Sequence, residues 1–160
     1  VGESKREGHK VICLRTFSKI HGLAGLRIGY GCGSENLITL LNRVRQPFNA
    51  NAIAQAAASA ALDDEDHVSF CRKANQEGIL QWEIGCRELG LPYVPSQANF
   101  ILVKVENAAS VFETMQNHGI IARTLGGQLA EYLRFSIGTR EQNVKALSIL
   151  SQVTEKFSAN

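Results

Sequence analysis

"RTFSKIHGLAGLRIGYG" (residues 15–31) places one lysine, Lys19, between an apolar run and a turn containing Gly22 and Gly25, with Arg27 just beyond it. Read plainly, Lys19 is a solvated loop lysine and Arg27 a surface strand residue. A second reading has both facing an anionic ligand that carries a carbonyl. A lysine that attacks a carbonyl must lose its proton first, which partial desolvation and nearby positive charge favour. Thr16 and Ser18 flank Lys19 with hydroxyls, and Arg27 offers a planar fork suited to phosphate oxygens. An S-K pair alone is commonplace. T-x-S-K followed by G-L-A-G-L-R is far rarer.

Working outward, "VICLRTF" (11–17) is β-branched and apolar at its start and reads as a buried strand. "LRIGYGCG" (26–33) reads as a second strand, whose glycines allow close backbone approach. Ser34 is placed to cap a helix with Leu37, Leu40, Leu41 and Val44 on one face, broken at Pro47. Asn49 and Asn51 read as caps of the alanine-rich helix that follows and as shapers of the turn into it, with a ligand-facing role as the alternative. A long helix from about Glu65 to Leu89 follows, with Val68, Cys71, Ile79, Trp82, Cys86 and Leu89 as its apolar stripe and Gly90 as its stop.

The remainder reads as strand "ANFILVKV" (98–105), helix "AASVFETMQNHG" (108–119) and strands "IIARTL" and "YLRFSIG". Thr139 and Gln142 then form a capping-box signature for a last helix, with Val144, Leu147, Leu150, Val153 and Phe157 on one face. This half is expected to be a compact α/β unit with an antiparallel sheet. The first half has too few strands for a sheet of its own and reads as the end of a larger parallel one. The chain also opens on Val1 rather than Met, as a piece of something longer would.

With 44% hydrophobic and 20% charged residues, the 160-residue chain reads as soluble and globular. A net charge of +2 gives no argument for nucleic acid or an anionic membrane as partner. Cys13, Cys32, Cys71 and Cys86 are scattered without a C-x-x-C pair, which disfavours zinc and points to buried free thiols in a reducing compartment. His9, His67 and His118 lack metal-ligand spacing. His21, close to Lys19, reads as packing, and so does Tyr30.

The opening stretch resembles the lysine segment of fold-type I pyridoxal-phosphate-dependent aminotransferases, within them the histidinol-phosphate aminotransferase family. The similarity continues through "RQPFNANAIAQAAASAALDD", "PSQANFILVKV", "GIIAR" and "YLRFSIGTREQN", in the family's order. It corresponds to the family's C-terminal portion. The resemblance implies an α/β chain made of the end of the large-domain sheet (1–64), a long connecting helix (65–90) and a small α/β domain (91–160).

It further implies pyridoxal 5'-phosphate as cofactor, with Lys19 as the Schiff-base residue. Thr16, Ser18 and Arg27 would hold its phosphate, Thr16 standing where many relatives have serine. Arg134 would grip a substrate carboxylate, and Arg123 the substrate's anionic group. Without the resemblance, Arg134 reads as an arginine paired with a carboxylate and Arg123 as a solvated strand-end residue. The family's acidic partner of the pyridine nitrogen, its asparagine and tyrosine near the ring oxygen, and its stacking aromatic lie upstream of the matching segment. The complete protein is therefore expected to be the enzyme, and this chain alone is not.

The implied reaction moves an amino group between glutamate/2-oxoglutarate and histidinol phosphate/imidazole-acetol phosphate, in a cytoplasmic homodimer acting on small molecules. Threonine-phosphate decarboxylase and aromatic aminotransferases are close relatives with the same fold and cofactor. A third possibility, of a different class, is a non-catalytic remnant serving as a binding or assembly module. The upstream sequence separates that possibility from the enzymes.

Overall fold

The computed structural model describes residues 10–158, and the side chains of residues 10–155. The chain divides into two compact units, Val1–Cys71 and Arg72–Asn160. No described helix is long and apolar enough to cross a membrane.

In the first unit β1 (Ile12–Thr16) and β2 (Gly29–Gly33) pair in antiparallel register, from Ile12 opposite Gly33 to Thr16 opposite Gly29. The expectation of two parallel strands is corrected here, because the connection between them is a hairpin turn that brings the chain straight back. "LRIGYGCG" also enters its strand later than expected. Ala24–Leu26 form a 3-10 turn, and Arg27 takes a left-handed φ of 52° that ends it. The ladder is tight at Gly29, where a Cβ would lie 2.5 Å from the Arg15 carbonyl oxygen. No side chain fits there without moving backbone. Nor is β1 buried: Phe17, just past its end, is buried, while Leu14 is 77% exposed.

Helix α1 (Glu35–Val44) follows, with Ser34 at the cap position in extended conformation but making no side-chain capping bond. Its Leu40, Leu41 and Val44 are exposed. Helix α2 (Ala52–Asp63) is capped as its sequence suggests, Asn51 Oδ1 accepting from the Ala54 N–H at 2.8 Å. Helix α3 (Glu65–Glu88) begins in this unit, where Asp64 Oδ1 accepts from the His67 N–H at 2.9 Å.

The second unit holds a sheet of four antiparallel strands in the order β3-β4-β6-β5. These are β3 (Tyr93–Val94), β4 (Phe100–Lys104), β5 (Arg123–Thr124) and β6 (Tyr132–Ser136). Helix α4 (Ala108–Asn117) links β4 to β5, and α5 (Arg140–Ser158) ends the chain. Helix α3 stops at Gly90, whose φ of +66° lets the Gly90 N–H reach the Arg87 carbonyl and the Leu91 N–H the Cys86 carbonyl.

Alternation along the central strands decides which face is core. Ile101 opposes Phe135 and Val103 opposes Leu133, and all four are buried. Against them pack Trp82 and Cys86 of α3, Val111 and Met115 of α4, and Leu150 and Val153 of α5. Trp82 stacks on Phe135 with centroids 4.6 Å apart, and its Nε1–H donates to Asn143 Oδ1 at 3.1 Å. The Thr139–Gln142 capping box is present: Gln142 Oε1 accepts from the Thr139 N–H at 2.9 Å, and Thr139 Oγ1 from the Gln142 N–H at 3.3 Å.

Two expectations need correction here, and one falls outside the described side chains. Val144 is 54% exposed, and the inward face of α5 instead carries Asn143 and Ala146 with Leu150 and Val153. Phe157 lies outside the described side chains. Of the cysteines, all free, Cys86 alone is buried, whereas Cys13 and Cys71 are half-buried and Cys32 is exposed. Burial first, and then the charge of Glu83, push the Cys86 thiol up to about 11. It is a core thiol held in its neutral form.

Candidate functional site

The lysine turn is built from its own backbone. The Phe17 N–H donates to the Ile28 carbonyl at 3.2 Å, closing the hairpin beyond the last strand pair. Inside it, the Gly22 N–H donates to the Lys19 carbonyl at 2.9 Å and the Leu23 N–H to the Phe17 carbonyl at 3.0 Å. Phe17 anchors the turn from below, its ring 5.0 Å from the His21 ring and 5.7 Å from the Tyr30 ring. His21 and Tyr30 do pack, as their sequence contexts suggest, although the buried Nδ1 of His21 has no hydrogen-bond partner among the described residues.

Thr16, Ser18, Lys19 and Arg27 therefore belong to one end of one hairpin. Thr16 Oγ1 accepts from the Ser18 N–H at 3.0 Å, which leaves the Thr16 hydroxyl proton free to donate outward. Lys19 is exposed at the turn. Arg27 Nη1 donates to the Ala24 carbonyl at 2.7 Å, which folds the guanidinium back over the 3-10 turn and leaves most of its N–H donors available. Neither Lys19 nor Arg27 is in an ion pair among the described residues. Cβ atoms built on Gly22 and Gly25 meet nothing within 4 Å, so the turn borders open space. Two hydroxyls, an amine and a guanidinium around that space fit a phosphorylated carbonyl compound in donor type and charge.

The other two arginines sit in the second unit, directly across from each other: Arg123 on β5 pairs with Arg134 on β6. Opposite residues of an antiparallel pair share a face, and like charges there are destabilising. The face is the one turned away from the core, since Arg134 alternates with the buried Leu133 and Phe135. Arg134 also lies over Phe100, with Cζ 5.1 Å from the ring centroid. Its Nε is buried without a hydrogen-bond partner among the described residues. Neither arginine is in an ion pair among those residues, so the carboxylate partner that a purely structural Arg134 would need is not found there. This pairing could not be read from sequence, because register between strands separated by a loop is a tertiary property. Sequence reading also passed over Asn143, whose Oδ1 takes the Trp82 and Gly138 N–H groups and holds the start of α5.

Residues 3–150 match the family described as aminotransferase class I and II. The chain belongs to that family. Among curated relatives, a histidinol-phosphate aminotransferase of Akkermansia muciniphila is 47% identical over 149 residues, covering 92% of this chain and 41% of the relative. One from Brevibacillus brevis is 49% identical over 146 residues, covering 89% of this chain and 40% of the relative. Among solved aminotransferase structures, the Sinorhizobium meliloti histidinol-phosphate aminotransferase in complex with pyridoxal-5'-phosphate superposes with a TM-score of 0.84 at 29% identity. That match covers 92% of this chain and 42% of the other. The chain thus spans well under half the length of the family members it matches.

Proposed function

We propose that the chain is part of an aminotransferase that exchanges an amino group between glutamate/2-oxoglutarate and histidinol phosphate/imidazole-acetol phosphate, with pyridoxal 5'-phosphate carried on Lys19. The observation that carries the substrate reading is the register pair of Arg123 and Arg134, two cations set opposite each other with no carboxylate between them among the described residues. An anion between them turns a repulsive pair into a clamp. Glutamate brings a carboxylate and histidinol phosphate brings a phosphate, and a guanidinium forks onto either. The names of the similar proteins supply the substrate class.

When bound, the cofactor supplies the electron sink for breaking a bond at the substrate α-carbon. The remaining work falls to residues of this chain. Lys19 Nζ would hold the cofactor at its carbonyl carbon and, once released from it, would move the proton at the substrate α-carbon. The hydroxyls of Thr16 and Ser18 and the Arg27 guanidinium would donate to the phosphate and set its position relative to Lys19. Arg134 and Arg123 orient the substrate through its anionic end. On this reading the complete protein is a cytoplasmic homodimer.

Borohydride reduction of the complete, cofactor-loaded protein followed by peptide mapping tests the assignment. The pyridoxyl adduct is expected on Lys19. An adduct on Lys10 or Lys73 ends this reading.

A further inference from the structure

We propose that His67 is a positioning residue for the lysine turn, tying it to the first turn of α3 through a hydrogen bond to the Ile20 carbonyl. His67 Nε2 lies 3.0 Å from that oxygen, across a sequence separation of 47 residues. A carbonyl only accepts, so Nε2 carries the proton, and the bond assigns the tautomer. Cys71, one helical turn further along α3, has its sulfur 3.4 Å from the same nitrogen. The sulfur is a weak second partner and flanks the ring on the side of the helix.

Both ends of this tie are themselves fixed. The His67 backbone N–H is taken by Asp64 Oδ1, which sets the start of α3. On the other side, the carbonyls of Phe17 and Lys19 are used inside the turn by Leu23 and Gly22. The Ile20 carbonyl points instead to another element, and Ile20 directly follows Lys19. Holding that peptide plane limits how far the Lys19 backbone can swing. A lysine that must meet one carbonyl carbon and then one proton needs such restraint, because small misplacements of a reacting group are costly. The sequence hides this role. Among the described residues the His67 ring has Cys71 as its partner nearby in the chain, and only the fold brings Ile20 to it.

The proposal rests on the reading of Lys19 as the Schiff-base residue, and its test is independent of that reading. In the complete, cofactor-loaded protein, H67F removes the donor and keeps a ring, whereas H67Q keeps an N–H donor of similar reach. In H67F, amide exchange at Gly22 and Leu23 is expected to quicken roughly three- to ten-fold, the shift one net hydrogen bond makes in a local opening equilibrium. Cofactor loss should quicken with it. H67Q should stay near the parent protein in both measurements, and exchange in Phe100–Lys104 should not change in either variant. H67A supplies the same contrast should the phenylalanine disturb packing. Equal exchange in all forms, or H67Q as fast as H67F, overturns the proposal. A borohydride adduct away from Lys19 instead overturns the catalytic reading and leaves the exchange result to judge the tie alone.

Discussion

Arg27 and Arg134 are both guanidinium groups without an ion-pair partner among the described residues, and the proposed function gives them different work. Arg27 holds a left-handed backbone at the hairpin end, beside Thr16 and Ser18. Arg27→Ala keeps that backbone strain unchanged and removes the fork, so cofactor retention should weaken by about 1.5–3 kcal/mol, the worth of a charge-assisted hydrogen bond. Arg134→Ala should leave cofactor affinity intact while impairing amino-acid turnover. Its effect on stability should be small. The substitution forfeits a cation–π contact worth about 0.5–1 kcal/mol and relieves the like-charge opposition to Arg123, an effect of about the same size. Equilibrium cofactor titration, steady-state kinetics and a melting curve separate the two sites, and loss of cofactor alone in both variants sinks the Arg134 assignment. The two sites were unequally legible. Lys19, Thr16, Ser18 and Arg27 stand close together in sequence, so a shared ligand could be proposed from spacing. Arg123 and Arg134 are joined only by strand register, and His67 and Ile20 only by a helix start meeting a turn.

Among the elements, α3 and α5 meet through glycine. A Cβ on Gly78 would lie 2.4 Å from Ile137 Cγ2 and 3.0 Å from Asn143 Nδ2, whereas one on Gly85 would lie 2.7 Å from both Leu147 methyl carbons. Both glycines are in a helix interior, where alanine is intrinsically better by about 1 kcal/mol. Leu147 is half-buried and can turn its flexible end aside. Ile137 is branched at Cβ and precedes the capping box, and Asn143 holds the buried Trp82 N–H, so neither can yield freely. Gly78→Ala should therefore destabilise by about 1–3 kcal/mol, as overpacking of a filled site does. Gly85→Ala should be close to neutral. Denaturant unfolding of the two variants checks the ranking, and equal losses contradict it. Periodicity alone misreads this helix: an apolar stripe through Val144 is continuous in sequence, but the buried position is taken by Asn143, which accepts the Trp82 N–H, and Val144 lies outside. The edge strand β3 escapes for another reason: at two residues it is too brief to show alternation, whereas "IIARTL" is expected as a strand and holds β5 at Arg123–Thr124. Helix ends with a cap or a stop residue were legible because their chemistry is local, as at Asn51, Thr139 and Gly90.

Across the whole chain, apolar burial is unevenly shared. In the first unit the buried described hydrophobics are Phe17, Ala54 and Ala58, while the second unit buries a cluster running from Trp82 to Val153. The first unit meanwhile leaves Leu14, Val44, Ile53 and Phe70 largely exposed, and Phe48 fully so, at 101%. Small alanine side chains contribute little burial energy, at about 25 cal/mol per Å² of apolar surface removed from water. A two-stranded hairpin with one buried aromatic at its end has correspondingly little to resist opening. The second unit has a full sheet with helices over its apolar face and capped helix ends. In the isolated 160-residue chain, amides of β1 and β2 should therefore exchange quickly, and those of β4 and β6 slowly. In the complete protein, where the remaining length of the family has somewhere to pack, β1 and β2 should become protected as well. Hydrogen exchange on both forms at low concentration decides this. Uniformly strong protection in the isolated chain as a dilute monomer would mean that the exposed apolar surface of the first unit needs no cover, and that these residues form a complete domain.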